Sequence, residues 1–214
     1  MINKMNKIHN CDCLEFMKQV PDGYFDLVLT DPPYGIDAGG GVGGTYAKKG
    51  WKKRIIHDKK EWDKEIPSKE YFDEIQRISK NSIIFGGNYF AHLLPASKGW
   101  IYWSKRMGGN FSDGELAWTS FDRGLKAVEI GRQQELAPLE RVHPTQKTPK
   151  LFRWILTEYI NRENTKTIFD PFMGSGTTAI ACKSLGLDWC GCELEADYCE
   201  IARKRLEAVQ GSLF

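Results

Sequence analysis

The chain has 214 residues, enough for one domain with a full core plus an insertion or lobe. An apolar fraction of 41% and a charged fraction of 27% exclude a disordered chain, and no run reaches the roughly 18 apolar residues of a membrane-spanning helix. The formal net charge of +2 says little about partners. Its distribution says more, because Lys48, Lys49, Lys52, Lys53, Arg54, Lys59 and Lys60 crowd a stretch holding one acid, Asp58. Such a cluster reads equally as a phosphate-neutralising loop and as a solvated one. The basic start, Met1 to Lys7, has no apolar segment behind it and is not a secretory signal, so a cytoplasmic location and no membrane partner are expected. The six cysteines lack C-x2-C spacing, which predicts reduced thiols and no metal.

In chain order, Cys13 to Val20 carries apolar residues at helical spacing, and Pro21-Asp22-Gly23 breaks it. Phe25 to Thr30 is a short apolar strand that runs into Asp31-Pro32-Pro33-Tyr34, where the prolines end any ladder. Residues 36–66 show no periodicity; five glycines between Gly39 and Gly44 precede the basic cluster, as in a mobile loop. Tyr71, Ile75 and Ile78 predict a helix, Ser82 to Phe85 a strand, Phe90 to Leu94 a short helix and Trp100 to Trp103 a strand. Residues 105–140 are less regular, with a strand over Glu115 to Ser120. Then follow a helix (Pro149 to Tyr159), a strand (Thr167 to Asp170), a helix (Thr177 to Leu185, ended by Gly186), a strand (Asp188 to Cys192, capped by Glu193) and a helix (Asp197 to Val209). Alternating strands and helices predict an α/β fold around a mostly parallel twisted sheet with helices on both faces.

Two strand ends carry the chemistry. Ligands of open α/β sheets sit beyond the carboxyl ends of the strands. There, Asp31 and the rigid Pro32 carbonyl form an acceptor pair beside an aromatic ring, Tyr34. Two acceptors can hold the two N–H bonds of a planar amino group and free its lone pair, while the ring stacks on a base. A proline-rich turn with Asp31 as a cap is the plainer reading. The second strand end, Asp170-Pro171-Phe172-Met173-Gly174-Ser175-Gly176-Thr177-Thr178, has the strand–glycine loop–helix context of a ligand loop. It is not G-x-G-x-x-G and lacks the lysine of a P-loop. With Glu193 at the next strand end to accept from ribose hydroxyls, it suits a nucleoside-bearing cofactor without phosphates at the loop.

With His143-Pro144-Thr145-Gln146-Lys147 between them, these motifs resemble the beta group of the amino-methylating DNA methyltransferases (adenine-N6 and cytosine-N4) over nearly the whole chain. The resemblance implies a Rossmann-like S-adenosylmethionine-dependent methyltransferase fold with permuted motif order: a catalytic half, 1–104, with a mobile basic loop at about 36–66; a small DNA-recognition insertion, 105–140; and a cofactor-binding half, 141–214. It implies S-adenosylmethionine as cofactor and double-stranded DNA as substrate, and is compatible with a homodimer and a cognate restriction endonuclease. It makes Asp31, Pro32, Pro33 and Tyr34 catalytic. It places Asp12, Cys13, Thr145, Lys147, Asp170, Phe172, Gly174, Ser175, Gly176, Thr177 and Glu193 around the cofactor, with Asp12 on its adenine, Glu193 on its ribose, and Thr145 and Lys147 closing over the methionine end. DNA contacts fall to Lys48, Lys49, Lys52, Lys53, Arg54, Arg106, Arg123 and Arg132. Asp12 also fits a helix cap, and Lys147 and Glu193 fit ordinary surface charges. Two positions depart from the family pattern: Thr148, where proline is frequent, and Cys11, where glycine is.

Asp rather than Ser before Pro-Pro-Tyr favours adenine N6 within that family. Cytosine N4, RNA adenine, and a catalytically inactive nucleic-acid-binding module are the alternatives. A protein-glutamine methyltransferase is disfavoured, since those carry Asn before Pro-Pro-Tyr and have the glycine motif first.

Overall fold

A computed structural model describes residues 5–36, 65–105, 112–131, 146–161 and 163–209. Eight strands form one sheet in the order β1-β8-β7-β2-β3-β5-β4-β6. They are β1 (Lys7–Asn10), β2 (Phe25–Thr30), β3 (Ser79–Phe85), β4 (Trp100–Ser104), β5 (Gly114–Thr119), β6 (Lys126–Glu129), β7 (Thr167–Asp170) and β8 (Asp188–Glu193). Only β5 runs against its neighbours; the other pairs are parallel. The helices are α1 (Cys13–Met17), α2 (Lys69–Ile78), α3 (Pro149–Tyr159), α4 (Thr177–Leu185) and α5 (Ala196–Ala208).

The period-2 alternation of the strands splits the core into two layers. Leu27, Leu29, Ile83 and Phe85 face a layer completed by Leu151 and Ile155 of α3, Ala179 of α4 and Ala202 and Leu206 of α5. Val28 and Ile84 face the other, with Phe16 and Met17 of α1 and Phe72, Ile75 and Ile78 of α2; Phe25, at the start of β2, joins this layer out of phase with the alternation. Each fully buried apolar side chain of this kind contributes about 2 kcal/mol. Both faces are therefore covered, as a parallel sheet requires.

The structure corrects some boundaries. The first helix stops at Met17, and the chain reaches Val20 through turns. Val20 precedes Pro21, which disfavours helical backbone there. Phe90 to Leu94 is a run of turns, not a helix: its bonds are mostly i to i+3, and Pro95 removes the next donor. Periodicity missed β1 and β6. Both are four-residue edge strands carrying lysine, too short to alternate clearly and typical of protected sheet edges. Residues 112–131, within the stretch expected to read DNA, build β5 and β6 into the main sheet. No helix among the described residues is long and apolar enough to cross a membrane.

Candidate active site

Strands β2 and β7 lie side by side where the strand order reverses. From β2 the chain goes through α2 to β3 on one side; from β7 it goes through α4 to β8 on the other. A crevice must open beyond their carboxyl ends. Asp31 follows β2, the glycine loop follows β7, Glu193 ends β8, and Asp12 lies two residues beyond β1. All border one cavity of about 270 Å³, together with Cys13, Pro32, Pro33, Tyr34, Lys147, Asp170, Phe172, Gly174, Ser175 and Thr177.

At the β2 end the Asp31 carboxylate holds two donors. Tyr34 Oη donates to Oδ1 at 2.5 Å and Lys147 Nζ to Oδ2 at 2.7 Å. Lys147 also reaches Tyr34 Oη at 3.2 Å. Burial pushes the Asp31 carboxyl above its ordinary range despite the opposing Lys147 ammonium. Burial and then the Asp31 charge raise the Tyr34 phenol well above its usual value. The Tyr34 ring stacks on Tyr89 at 4.9 Å and 15°. Gly86, at φ +70°, also lies close to it, and a Cβ there would be 2.2 Å from the ring. Only glycine lets Tyr34 lie flat against that backbone.

At the β7 end, Asp170 is buried and accepts from Thr30 Oγ1 of β2 at 2.8 Å, from Phe172 N at 3.0 Å and from Thr178 Oγ1 of α4. Its carboxylate thus clamps two strands and a helix start around the loop. Burial pushes its pKa up to about 7, against the hydrogen bonds that lower it. Gly174 and Gly176 take φ values of +52° and +83°. Gly176 lies behind the cavity lining, where a Cβ would be 2.8 Å from Ala202 Cβ, so it serves loop packing onto α5. Arg205 of α5 donates to the Ser175 carbonyl and, at 2.9 Å, to its hydroxyl.

Glu193 is a pocket residue rather than a surface charge. Its Oε2 accepts from Gly174 N and its Oε1 from Glu195 N, both at 2.8 Å. A carboxylate has about four lone-pair sites, so each oxygen retains capacity toward the cavity. Burial raises its pKa, with the backbone donors opposing. Asp12 does cap α1, accepting from Leu14 N at 2.7 Å and Glu15 N at 3.2 Å, and still borders the cavity. Thr148 caps α3 through Leu151 N at 3.3 Å.

Lys147 is no surface charge either; its side chain is 3% exposed. Its ammonium contacts Asp31, an ion pair of 2.9 Å links it to Glu115 Oε2, and its carbonyl accepts from Thr177 Oγ1 at 3.4 Å. Glu115 had no sequence signal. The strand that carries it was legible, but not the edge of the sheet at which it would stand. Tyr89 and the cavity residues Tyr71 and Tyr198 were likewise missed, since isolated tyrosines at helix or loop positions carry no motif. Arg123 stands at the opposite edge from Asp31, between the end of β5 and the start of β6. Its guanidinium donates to the Glu158 carbonyl at 2.8 Å and carboxylate at 3.0 Å, and lies 4.9 Å from the Tyr159 ring. It therefore ties the sheet edge to α3. Thr145, Lys48, Lys49, Lys52, Lys53, Arg54, Arg106 and Arg132 lie outside the described residues.

Comparison with known proteins gives a consistent picture. A family model described as DNA methylase, of the N6 and N4 methyltransferase type, matches residues 98–204. The type II methyltransferase M2.DpnII of Streptococcus pneumoniae is 27% identical, over 96% of this chain and 91% of that protein. M.HinfI of Haemophilus influenzae is 26% identical, over 96% of this chain and 69% of that protein. Among solved structures, the M1.HpyAVI–SAM complex matches with a TM-score of 0.61 at 24% identity, covering 94% of this chain and 99% of the other. The cytosine-N4-specific PvuII DNA methyltransferase matches with a TM-score of 0.63 at 12% identity, covering 96% and 91%. At those identities the structural likeness concerns the fold.

Proposed function

From the premise that the chain belongs to the DNA methylase family of N6 and N4 methyltransferases, we propose that it methylates N6 of adenine in duplex DNA, at a specific site, with S-adenosylmethionine as donor. The observation that carries the reading is the meeting of Asp31 and Tyr34 with the glycine loop and Glu193 in one cavity.

The donor set fits that cofactor. Among the described lining residues stand five carboxylates, on Asp12, Asp31, Asp170, Glu193 and Glu195, against one lysine, Lys147. Such a lining repels phosphate and attracts a cation, and a sulfonium nucleoside carries one positive charge. Glu193 would accept from the ribose hydroxyls and Asp12 from the adenine amino group, with Phe172 and the Gly174 backbone beside them. When bound, the cofactor supplies an electrophilic methyl group.

The protein supplies position and charge. The target base, flipped from the duplex, enters the cavity against Tyr34. Asp31 and the Pro32 carbonyl accept its amino protons and release the lone pair from conjugation. Since Tyr34 and Lys147 occupy Asp31 without substrate, the amino group must replace one of them, and Tyr34 is the one its own ring position can spare. Asp31 holds the proton lost once the nitrogen is methylated. Adenine is chosen over cytosine on Asp31 before Pro-Pro-Tyr, a family-level preference, because the amino chemistry of the two bases is the same. Lys48, Lys49, Lys52, Lys53 and Arg54 remain the proposed phosphate contacts.

Radiolabelled methyl transfer to unmethylated duplex DNA, followed by nucleoside analysis, tests this directly. N6-methyladenine is the expected product. N4-methylcytosine would move the assignment to the other base, and no transfer to any DNA would refute the activity.

A further inference from the structure

We propose that Glu115 is a positioning residue for the methyl transfer: it holds Lys147 against Asp31 and offsets the lysine's charge at the point where the attacked nitrogen becomes positive. The inference rests on the amino-methylation reading of this cavity. Its grounds are geometric. Lys147 Nζ bridges two carboxylates, 2.7 Å from Asp31 Oδ2 and 2.9 Å from Glu115 Oε2. Glu115 Oε2 is buried, with the Lys147 ammonium beside it. The other carboxylate oxygen, Oε1, pairs with Lys105, itself buried.

The topology explains how a residue 84 positions from Asp31 arrives there. Because β5 is antiparallel, its amino end lies at the edge where the parallel strands end. Glu115, second in β5, therefore faces the crevice that Asp31 borders.

The electrostatics give the arrangement a purpose. An exocyclic amine gains positive charge as it is methylated. Asp31 with Lys147 alone presents no net charge to it, and a buried ammonium would oppose it. Glu115 offsets that ammonium, and Lys105 on its other oxygen leaves the four side chains with zero net charge. Lys147 thereby fixes one Asp31 oxygen in place at little electrostatic cost, and leaves the other for the substrate.

The groups facing Lys147 are Asp31, Glu115 and Tyr34, with the Phe85 ring 5.3 Å away. Burial alone would lower its pKa; the two carboxylates more than reverse that. Burial pushes Glu115 up, but Lys147 and Lys105 hold it below its usual range. Asp31 faces Lys147, Tyr34, Glu115 and, more remotely, Asp170.

The test is Glu115→Gln, nearly isosteric, in the full chain, with the double variant Glu115→Gln/Lys147→Met. Glu115→Gln should lower kcat by about tenfold or more while shifting the KM for DNA and the Kd for S-adenosylmethionine less than about twofold. Its deficit should shrink as pH rises and Lys147 loses its proton. The double variant should be several-fold faster than Glu115→Gln alone, because deleting the stranded cation restores the charge balance, whereas a merely structural role predicts additive or worse loss. NMR titration of the Lys147 side chain, with no cofactor bound, should show a lower pKa in Glu115→Gln. A kcat within twofold of wild type, a double variant no faster than the single one, or an unmoved Lys147 titration would overturn the role. A wild type that transfers no methyl to DNA would instead sink the amino-methylation reading, and the lysine titration would still decide whether Glu115 holds Lys147 charged.

Discussion

Two Asp-Pro dipeptides stand at the carboxyl ends of adjacent parallel strands, Asp31-Pro32 after β2 and Asp170-Pro171 at the end of β7. In sequence they are equivalent: an acid at a strand end, then a residue that stops the ladder. In the fold they do opposite work. Asp170 meets only neutral donors, two hydroxyls and a backbone N–H, and, though it too borders the cavity, is held by them as a joint of the scaffold. Asp31 meets a phenol and an ammonium, and borders the cavity as a group that can exchange partners. Burial raises both carboxyls, but only Asp31 has a cation beside it to oppose that rise. A strand end supplies the location; the neighbours decide whether an acid reacts or holds.

Substitutions at the two acids should separate these roles most sharply. Asp31→Ala should lower kcat by about a thousandfold or more and leave the calorimetric Kd for S-adenosylmethionine nearly unchanged. Retained turnover would remove Asp31 from the mechanism. Asp170→Asn should act on stability and its pH dependence instead. The folded pKa of Asp170, about 7, lies above its unfolded value. Its contribution is therefore fully present below about pH 4 and is lost as pH rises through the folded value. Urea unfolding should show this loss, at most about 4 kcal/mol, as a downward slope between those pH values that Asp170→Asn flattens. An unchanged slope would place the titration elsewhere.

Smaller effects probe what surrounds Asp31. Gly86→Ala should cost about 10- to 100-fold in kcat/KM, because the new methyl would displace the Tyr34 ring from a position with φ +70°. A crystal structure of the variant with Tyr34 unmoved would contradict that cause. Tyr34→Phe keeps the ring and loses the hydroxyl's bonds to Asp31 and Lys147, so kcat should fall less than about tenfold. A loss as large as that of Asp31→Ala would mean that the hydroxyl takes part in proton handling.

Much of the molecule was legible from the chain alone because its signals are local. Apolar periodicity over Pro149–Tyr159 and Thr177–Leu185, Gly186 as a stop, and the strand before each Asp-Pro depend on neighbouring residues and appear in the structure with the bounds they predict. Asp31, Tyr34, Gly174 and Glu193 were found because each stands at a strand end, where an α/β sheet gathers its ligands. What the chain could not disclose is whatever depends on strand order and direction. The reversed course of β5 brings Glu115 to the Asp31 edge and sends Arg123 to the opposite one. Burial, which follows only from packing, turned Lys147 from a candidate surface charge into a bridge between two carboxylates. Sequence determines which residues can do chemistry at a strand end, because backbone propensity and side-chain type are local properties. Tertiary structure decides which charges face one another, because Coulomb interactions act through space across residues that the chain keeps far apart.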